Sequence, residues 1–476
     1  MSSIQGVADE LMFKATMAAA EFQQLNQADT DNIVENIFKA GFTNRVKLAK
    51  MAQEETGIGV WQHKVIKNVV ATQLVYENIK NEKTVGIIKE DTIRGIVEIA
   101  QPLGPIFAII PITNPTSTIL FKILISMKTR NPVIVSAPRH AFNCCKETVD
   151  ICYAAALAAG APEDCIQIIE HGSREFTHTI MAHHNLALTL ATGGTGLVHA
   201  AYSSGNPAIG VGPGNVPVLI DESADIPFAI ENIILSKTFD NGTICASEQS
   251  IIVEKTITNA VRKEFESQHC YFLDEAETKK LEEYAVLKDK GTMNPEIVGK
   301  PATFIAERAG INAPENTRIL MAPLNGVGLK YPLSVEILAP VLAYYECDNY
   351  KSAIKTCIDL NFLGGIGHTA VIYANNETRI MEFSEIMNAG RIVVNTPSGQ
   401  GAVGGLFNTL PTSFTLGCGT GGKNITTENI SAHQLINVQR VCRRKINTQW
   451  FQFDQAKYID ENQGTDDILS EYYKNY

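Results

Sequence analysis

Between residues 104 and 253 short runs rich in apolar residues alternate with stretches of helical periodicity. The apolar runs lie at 106–110, 133–136, 165–169, 186–191, 216–220 and 250–253; helical spacing fills 116–129, 141–159 and 225–237. A strand that is apolar on both faces has to be covered on both faces. The alternation therefore demands a parallel sheet between two layers of helix, an α/β fold. Gly104-Pro105, Pro111 and Gly160-Ala161-Pro162 punctuate it where the chain has to turn. In such a sheet the loops at the carboxyl ends of the strands form the ligand crevice. Thr113-Asn114 and the stretch 192–196 fall at two of those ends. The pattern continues from about 250 to about 395, which predicts a second α/β region.

The residues before the first of these strands read as helix. Asp29 or Thr30 is placed to cap a helix with Ile33, Val34, Ile37 and Phe38 on one face and Gly41 at its end. A second helix fits 44–55, ended by Gly57, and a third apolar-periodic run follows at 64–79. Residues 85–100 change character and read as two strands turning near Lys89-Glu90-Asp91. At the other end, 396–422 is Gly-rich but carries spaced Phe407, Phe414 and Leu416, so it is too patterned for a linker. Residues 447–476 suggest a flexible link and then a short helix capped by Thr465, with Ile468, Leu469, Tyr472 and Tyr473 on one face.

Composition removes several function classes. With 476 residues, the chain is long enough for two or three domains. A net charge of -11 argues against a nucleic-acid footprint. No apolar run reaches the roughly 18 residues a membrane helix needs, and the start lacks the basic region and apolar core of a signal peptide. Ten irregularly spaced cysteines do not form a disulfide framework, so a reducing cytoplasm is expected. There is no Cys-x-x-Cys pair; His183-His184 reads as a loop feature, and no metal site is expected.

The stretch between helix 225–237 and strand 250–253 is Asp240-Asn241-Gly242-Thr243-Ile244-Cys245-Ala246-Ser247-Glu248-Gln249. A thiol on a loop between two ordered elements is where a nucleophile is usefully held, although by residue type alone Cys245 reads as one more buried cysteine. Two other stretches bear on it: Ala191-Thr192-Gly193-Gly194-Thr195-Gly196 upstream, and Glu336-Ile337-Leu338-Ala339-Pro340-Val341 downstream. With Cys245 between them in that order, the chain resembles the aldehyde dehydrogenase superfamily. More narrowly it resembles the CoA-acylating branch, meaning the aldehyde half of bifunctional aldehyde-alcohol dehydrogenases and stand-alone acylating acetaldehyde and succinate-semialdehyde dehydrogenases. The resemblance runs from about residue 10 to about residue 445.

The resemblance implies a Rossmann-like cofactor domain (1–84 and 104–213) and an α/β catalytic domain (214–415). It adds a small β oligomerisation element (85–103 and 425–445) and leaves a C-terminal tail (446–476). It implies Cys245 as the nucleophile and Asn114 as the oxyanion-hole amide, a donor worth up to about 3–4 kcal/mol. His368, in Gly364-Gly365-Ile366-Gly367-His368-Thr369, is expected to position or activate the thiol near neutral pH. Thr113, Thr192, Gly193, Gly194, Gly196, Gly210 and Gly212 are expected at the cofactor, although 192–196 is not the G-x-G-x-x-G fingerprint. Ser136 and Arg139 would meet the adenosine; Glu336, followed by Pro340, would hold the nicotinamide ribose. NAD is the expected cofactor, while the lack of a carboxylate after 133–136 to hold a ribose 2′-hydroxyl, and an Arg139 that tolerates a phosphate, leave NADP open.

Gly210 bears most on the reaction. Hydrolytic relatives carry there the Glu that serves as general base for water, and 209–215 holds no carboxylate. Without that base, water attacks a thioester slowly, whereas the CoA thiol does not need it. The expected reaction is oxidation of a short-chain aldehyde with NAD and CoA to an acyl-CoA. Three alternatives stand beside it: an anionic aldehyde such as succinate semialdehyde or sulfoacetaldehyde, a hydrolytic or phosphate-dependent semialdehyde dehydrogenase, and an idle scaffold subunit of a multi-enzyme body. Residues 396–422 would line the substrate tunnel, widened because many relatives carry a Trp near Gly421. At least a dimer is expected, with no nucleic-acid or membrane partner and with the tail docked on a subunit or partner.

Overall fold

The alternation read in the sequence forms two parallel sheets in the computed structural model, which describes residues 4–170, 172–287 and 291–474. Residues 1–3 of the expected cofactor domain and 475–476 of the tail lie outside the described residues. The first sheet has five strands: β1 (Ile106–Ile109), β2 (Val133–Ser136), β3 (Ile166–Ile168), β4 (Leu188–Thr192) and β5 (Ala208–Val211). Their order is β3-β2-β1-β4-β5, and every pairing is parallel. Ile106, Phe107, Val133, Ile134 and Val135 are fully buried, as strands covered on both faces must be. Each large side chain so buried contributes about 1.5–3 kcal/mol. The chain steps outward from β1 to β2 and β3, then returns to the far side of β1 for β4. Strand order reverses between β1 and β4, where a doubly wound sheet opens its crevice. The buried Lys122, on helix Pro115–Lys128, donates to the carbonyls of Ile109 (2.8 Å) and Leu190 (2.9 Å) and ties these two strands together.

The second sheet has seven strands: β6 (Val216–Ile220), β7 (Glu248–Glu254), β8 (Cys270–Phe272), β9 (Ile319–Pro323), β10 (Val341–Cys347), β11 (Gly367–Tyr373) and β12 (Ala389–Val394). The order is β8-β9-β10-β7-β6-β11-β12, again with parallel pairs. The second α/β region thus begins at Val216, earlier than position 250. Between β6 and β7 runs helix Ile226–Thr238, capped by the Asp225 side chain, which accepts from Phe228 N at 3.2 Å. The Cys245 loop joins this helix to β7.

The N-terminal layer departs from the sequence reading in cap and ending. The helix expected to start at Asp29 or Thr30 runs Gln27–Thr43, and its cap is Asn26, paired with Asp29 in a capping box. Gly41 does not end it. A Cβ there would stand 2.6 Å from Leu120 Cδ2, so this glycine lets two helices approach. The second helix, Arg45–Thr56, does end at Gly57, in the left-handed conformation. The third run divides into Trp61–Val69, a π-helical turn Val70–Leu74, and Val75–Ile79.

Among the described residues the chain forms two compact units, 4–82 with 102–436, and 83–101 with 437–474. The second unit is built on a three-stranded sheet of Gly86–Asp91, Ile96–Pro102 and Ile436–Cys442. The hairpin turns at 92–95, not at Lys89-Glu90-Asp91, because Gly95 (φ 68°) supplies the left-handed residue that the turn needs. Strand structure within 425–441 is confined to Ile436 onward. The stretch 447–464 is not an open link but holds helix Thr448–Gln452 and the 3₁₀ turn Gln455–Ile459. The last helix, Thr465–Tyr473, is preceded by Gly464, with no side-chain cap from Thr465.

Candidate active site

A cavity of about 400 Å³ opens at the carboxyl ends of β1, β4 and β5. Thr113 and Asn114 reach it from the loop after β1, Thr192, Gly193 and Gly194 from the end of β4, and Gly212 from just after β5. Cys245 reaches it from the loop before β7, and Glu336 from the segment before β10. Residues more than 200 positions apart thus meet at one wall. Ser136, Arg139, Gly196, Gly210, Pro340 and His368 do not line this cavity.

Asn114 precedes Pro115, the first residue of its helix, where the missing N–H is no loss. An Asn in that place would ordinarily cap the helix, but here its side chain makes no cap bond. Its Nδ2 donates to Thr243 O (3.0 Å), while its Oδ1 accepts from Lys67 Nζ (2.6 Å). That pairing fixes which face of the amide is nitrogen. Lys67 Nζ also donates to Asp240 Oδ2 (2.6 Å) and Thr243 Oγ1 (2.9 Å). Asp240 is fully buried and accepts further from Lys64 Nζ (3.0 Å) and Val60 N (2.7 Å). Asp240 and Asn241 both hold φ near +50°, a strained backbone for non-glycine residues, two turns of chain ahead of the thiol. The bonds to Asp240 are what over-determine that conformation.

Cys245 is half-buried. Burial pushes its thiol up to about 12, and the Glu336 carboxylate acts in the same direction, against the Arg391 guanidinium. Burial also raises Glu336 to about 7, opposed by the Gly214 N–H, which donates to its Oε1 at 2.7 Å, and by Lys237. Burial brings Lys67 down to about 8, with Asp240 opposing. Glu336 is the one carboxylate among the described residues lining the cavity, and Lys67 the one cation.

His368 lies behind the thiol's loop. A Cβ at Gly214 would stand 2.3 Å from Cys245 O and 3.0 Å from His368 Nδ1, so Gly214 lets loop and imidazole close on each other. His368 is fully buried, its Nδ1 is 2.9 Å from Thr369 Oγ1, and its Nε2 has no partner. Burial, with Arg391 beside it, holds the ring at about 3. Burial thus favours the neutral imidazole, which leaves His368 the positioning part of its expected role. Arg391 is buried and donates to the carbonyls of His368 (2.8 Å), Gly417 (2.6 Å) and Thr427 (3.2 Å).

Gly210 faces away from the cavity. Its N–H donates to Tyr202 Oη (2.9 Å) and its carbonyl accepts from Tyr202 Oη (3.0 Å) and Asn424 Nδ2 (2.9 Å). A Cβ would stand 2.8 Å from Val198 Cγ1. Gly210→Ala is therefore expected to cost about 1–3 kcal/mol through overpacking, read as a lowered urea midpoint; an unchanged midpoint would refute this packing. A glutamate at 210 would meet the same wall. Pro340 is buried, and its carbonyl accepts from Leu320 N at 3.0 Å, which is sheet structure.

The crevice suits a dinucleotide. The hydroxyl of Thr192, Oγ1, is buried at the end of β4 without a partner. Side chains at Gly194, Gly196 and Gly212 would meet open space. Helix Thr195–Tyr202 starts after Gly194 with no side-chain cap, leaving its first N–H groups for an anion. At the end of β2, Arg139 and His140 are exposed and no carboxylate follows Ser136. No group of three or more His, Cys, Asp or Glu able to hold a metal is found among the described residues.

Sequence reasoning missed Lys67, Asp240 and Arg391. Lys64 and Lys67 gave one signal, two lysines a helical turn apart inside an apolar-periodic run. Arg391 gave none.

The aldehyde dehydrogenase family model matches residues 5–270. The aldehyde-alcohol dehydrogenase of Clostridium acetobutylicum is 46% identical over 95% of this chain and 52% of its own length. This chain thus spans about half the length of such curated relatives. The acetylating succinate-semialdehyde dehydrogenase of Clostridium kluyveri is 37% identical over 91% of this chain and 94% of its own. Among solved structures, an acetylating aldehyde dehydrogenase from Geobacillus thermoglucosidasius superposes with a TM-score of 0.90 at 42% identity, covering 93% of this chain and 98% of that one.

Proposed function

The chain belongs to the aldehyde dehydrogenase family, and from there we propose that it oxidises a short-chain aldehyde with a nicotinamide dinucleotide and CoA to give an acyl-CoA. The observation that carries this reading is a half-buried thiol, Cys245, sharing a cavity with the Asn114 amide while, among the described residues, no carboxylate but Glu336 lines it. The thiolate of Cys245 adds to the aldehyde carbon and forms a C–S bond. The oxygen becomes an alkoxide that takes hydrogen bonds from Asn114 Nδ2 and the Cys245 N–H. A bound nicotinamide supplies the acceptor for the hydride. The acyl group is then a thioester on Cys245, and the CoA thiol takes it at the carbonyl carbon and frees the cysteine. Thr113, Thr192, Gly193, Gly194, Gly196 and Gly212 would hold the dinucleotide, with Ser136 and Arg139 toward its adenosine and Glu336 toward its nicotinamide ribose. Neutral His368 would act from behind the loop by position. We lean to NAD, and Arg139 leaves NADP open. Absorbance of the reduced nicotinamide, with aldehyde present and CoA added or omitted, tests the reading.

The cavity favours an uncharged aldehyde. Lys67 is the one cation among the described residues lining it, and all three of its N–H bonds are used. An acetaldehyde-like substrate is therefore expected to exceed succinate semialdehyde or sulfoacetaldehyde in kcat/KM by tenfold or more, about the 1.4 kcal/mol that one unpaired charge can cost. A panel of aldehydes checks this, and equal values across it would sink the preference.

We also propose at least a homodimer in the cytoplasm, within or outside a multi-enzyme body. No described helix is long and apolar enough to cross a membrane. Ile87, Ile93, Val438 and Val441 stand exposed on the three-stranded sheet and its turn, and such edges need cover. The tail helix, with Leu469 and Tyr473 exposed, is proposed to dock on a subunit or partner. Light scattering at micromolar concentration should show a dimer or larger; a monomer would overturn the assembly.

A further inference from the structure

The buried cluster that links the N-terminal helices to the cysteine loop carries an excess of positive charge. Lys64 and Lys67 rise from helix Trp61–Val69, and between them sits a single carboxylate, Asp240. All three side chains are at most 4% exposed. By residue type two lysines face one aspartate, a nominal surplus of +1. His63, on the same helix, adds none, because its Nδ1 accepts from Asp240 N (2.8 Å) and the ring is therefore neutral. Among the described residues the Cys245 thiol, from the same loop as Asp240, also acts on Lys67, and Glu336 lines the same cavity.

Hydrogen-bond arithmetic fixes the state of Lys67. Its three neighbours are all acceptors. Asp240 Oδ2 is a carboxylate oxygen and Asn114 Oδ1 a carbonyl oxygen. Thr243 spends its own hydroxyl proton on Asp240, through contacts of 2.8 Å to Oδ2 and 3.0 Å to the carbonyl. An amine with two N–H bonds and a lone pair cannot meet three acceptors; an ammonium can. The same ammonium holds the Asn114 carbonyl oxygen, which keeps the amide nitrogen on the side of Thr243 and the thiol's loop.

We propose that Lys67 is the positioning residue of the oxyanion site: it locks the orientation of the Asn114 amide, and its cluster lends the thiolate and the alkoxide one unbalanced positive charge. This rests on the acyl chemistry proposed above. A buried like-signed surplus is costly unless something negative comes to it. The groups that become negative during the reaction are the Cys245 sulfur and the aldehyde oxygen, and the cavity that would hold them is lined by both Asn114 and Lys67.

The test reads the thiol first, without substrate. Alkylation of Cys245 by iodoacetamide is followed against pH on the Cys245 peptide by mass spectrometry, since exposed Cys442 also reacts. Lys67→Met should move the midpoint up by roughly one unit or more, and Asp240→Asn should move it down. Opposite directions separate charge from damage to the loop, which would move both the same way and overturn the proposal. A midpoint unmoved in Lys67→Met overturns it as well. If Lys67→Met does not fold, Asp240→Asn decides alone: downward supports, unchanged or upward refutes. The second reading is the rate of the first turnover with aldehyde and NAD. Lys67→Met should slow it by about 10²-fold, as for a displaced oxyanion donor, with NAD affinity unchanged. A wild-type protein with no first turnover would sink the acylating reading, while the alkylation midpoints would still judge Lys67.

Discussion

Given aldehyde and NAD but no CoA, the protein is expected to release one burst of reduced nicotinamide, at most about one per active chain, and then nearly stop. The physical reason is the missing base. Deacylation by water needs a carboxylate or imidazole that can take a proton beside the thioester. Gly210 packs on Val198 and Tyr202 and offers nothing to the cavity. His368 is neutral but buried behind the loop. Glu336 lines the cavity, yet its Oε1 is already engaged by Gly214 N. Adding CoA should restore steady turnover and yield an acyl-CoA. Cys245→Ala should abolish the burst itself, because no other described cysteine lines the cavity. Rapid turnover to free acid without CoA would overturn the acylating assignment.

Asn114→Ala should slow the burst by roughly 10²–10³-fold, the loss expected when one preorganised donor leaves an oxyanion site. The variant keeps the thiol, so a slow burst of full amplitude should remain. It also strips Lys67 of one acceptor, and an unpaired buried donor costs about 1–3 kcal/mol in stability. Asn114→Asp separates the two effects. It keeps an acceptor for Lys67 while, like the alanine variant, losing the donation to Thr243 O, and it places an anion where the alkoxide forms, so it should be at least as slow as the alanine variant. Stopped-flow absorbance gives both rates; a burst within threefold of wild type in Asn114→Ala would remove Asn114 from the mechanism.

The strands were legible because burial on both faces leaves runs such as Ile106-Phe107-Ala108-Ile109, which no helix or loop needs. Cys245, Asn114 and Glu336 could be assigned only through the resemblance to the aldehyde dehydrogenase superfamily, since by residue type Cys245 reads as one more buried cysteine, Asn114 as a turn residue before Pro115 and Glu336 as an exposed strand-edge carboxylate. The hairpin turn was misplaced because the charged trio Lys89-Glu90-Asp91 looked more like a turn than Thr92-Ile93-Arg94-Gly95, where Gly95 decides. The true helix cap, Asn26, lay three residues ahead of Asp29 in a capping box that was overlooked. Gly210 was noticed for a missing carboxylate, but its role as a seat for Tyr202 needed coordinates. The Lys67–Asp240 pair was out of reach altogether, since nothing local to either residue names a partner 173 positions away.

That separation has a consequence for how the protein comes into being. The nucleophile's loop takes its strained course through Asp240 and Asn241 only while Val60, Lys64 and Lys67 hold the Asp240 carboxylate. As the chain leaves the ribosome, the segment bearing these three residues emerges long before its counterpart, and contacts of such long range form late. Newly made chains thus pass through a period in which helices and sheets can already stand while the thiol's setting is unfinished.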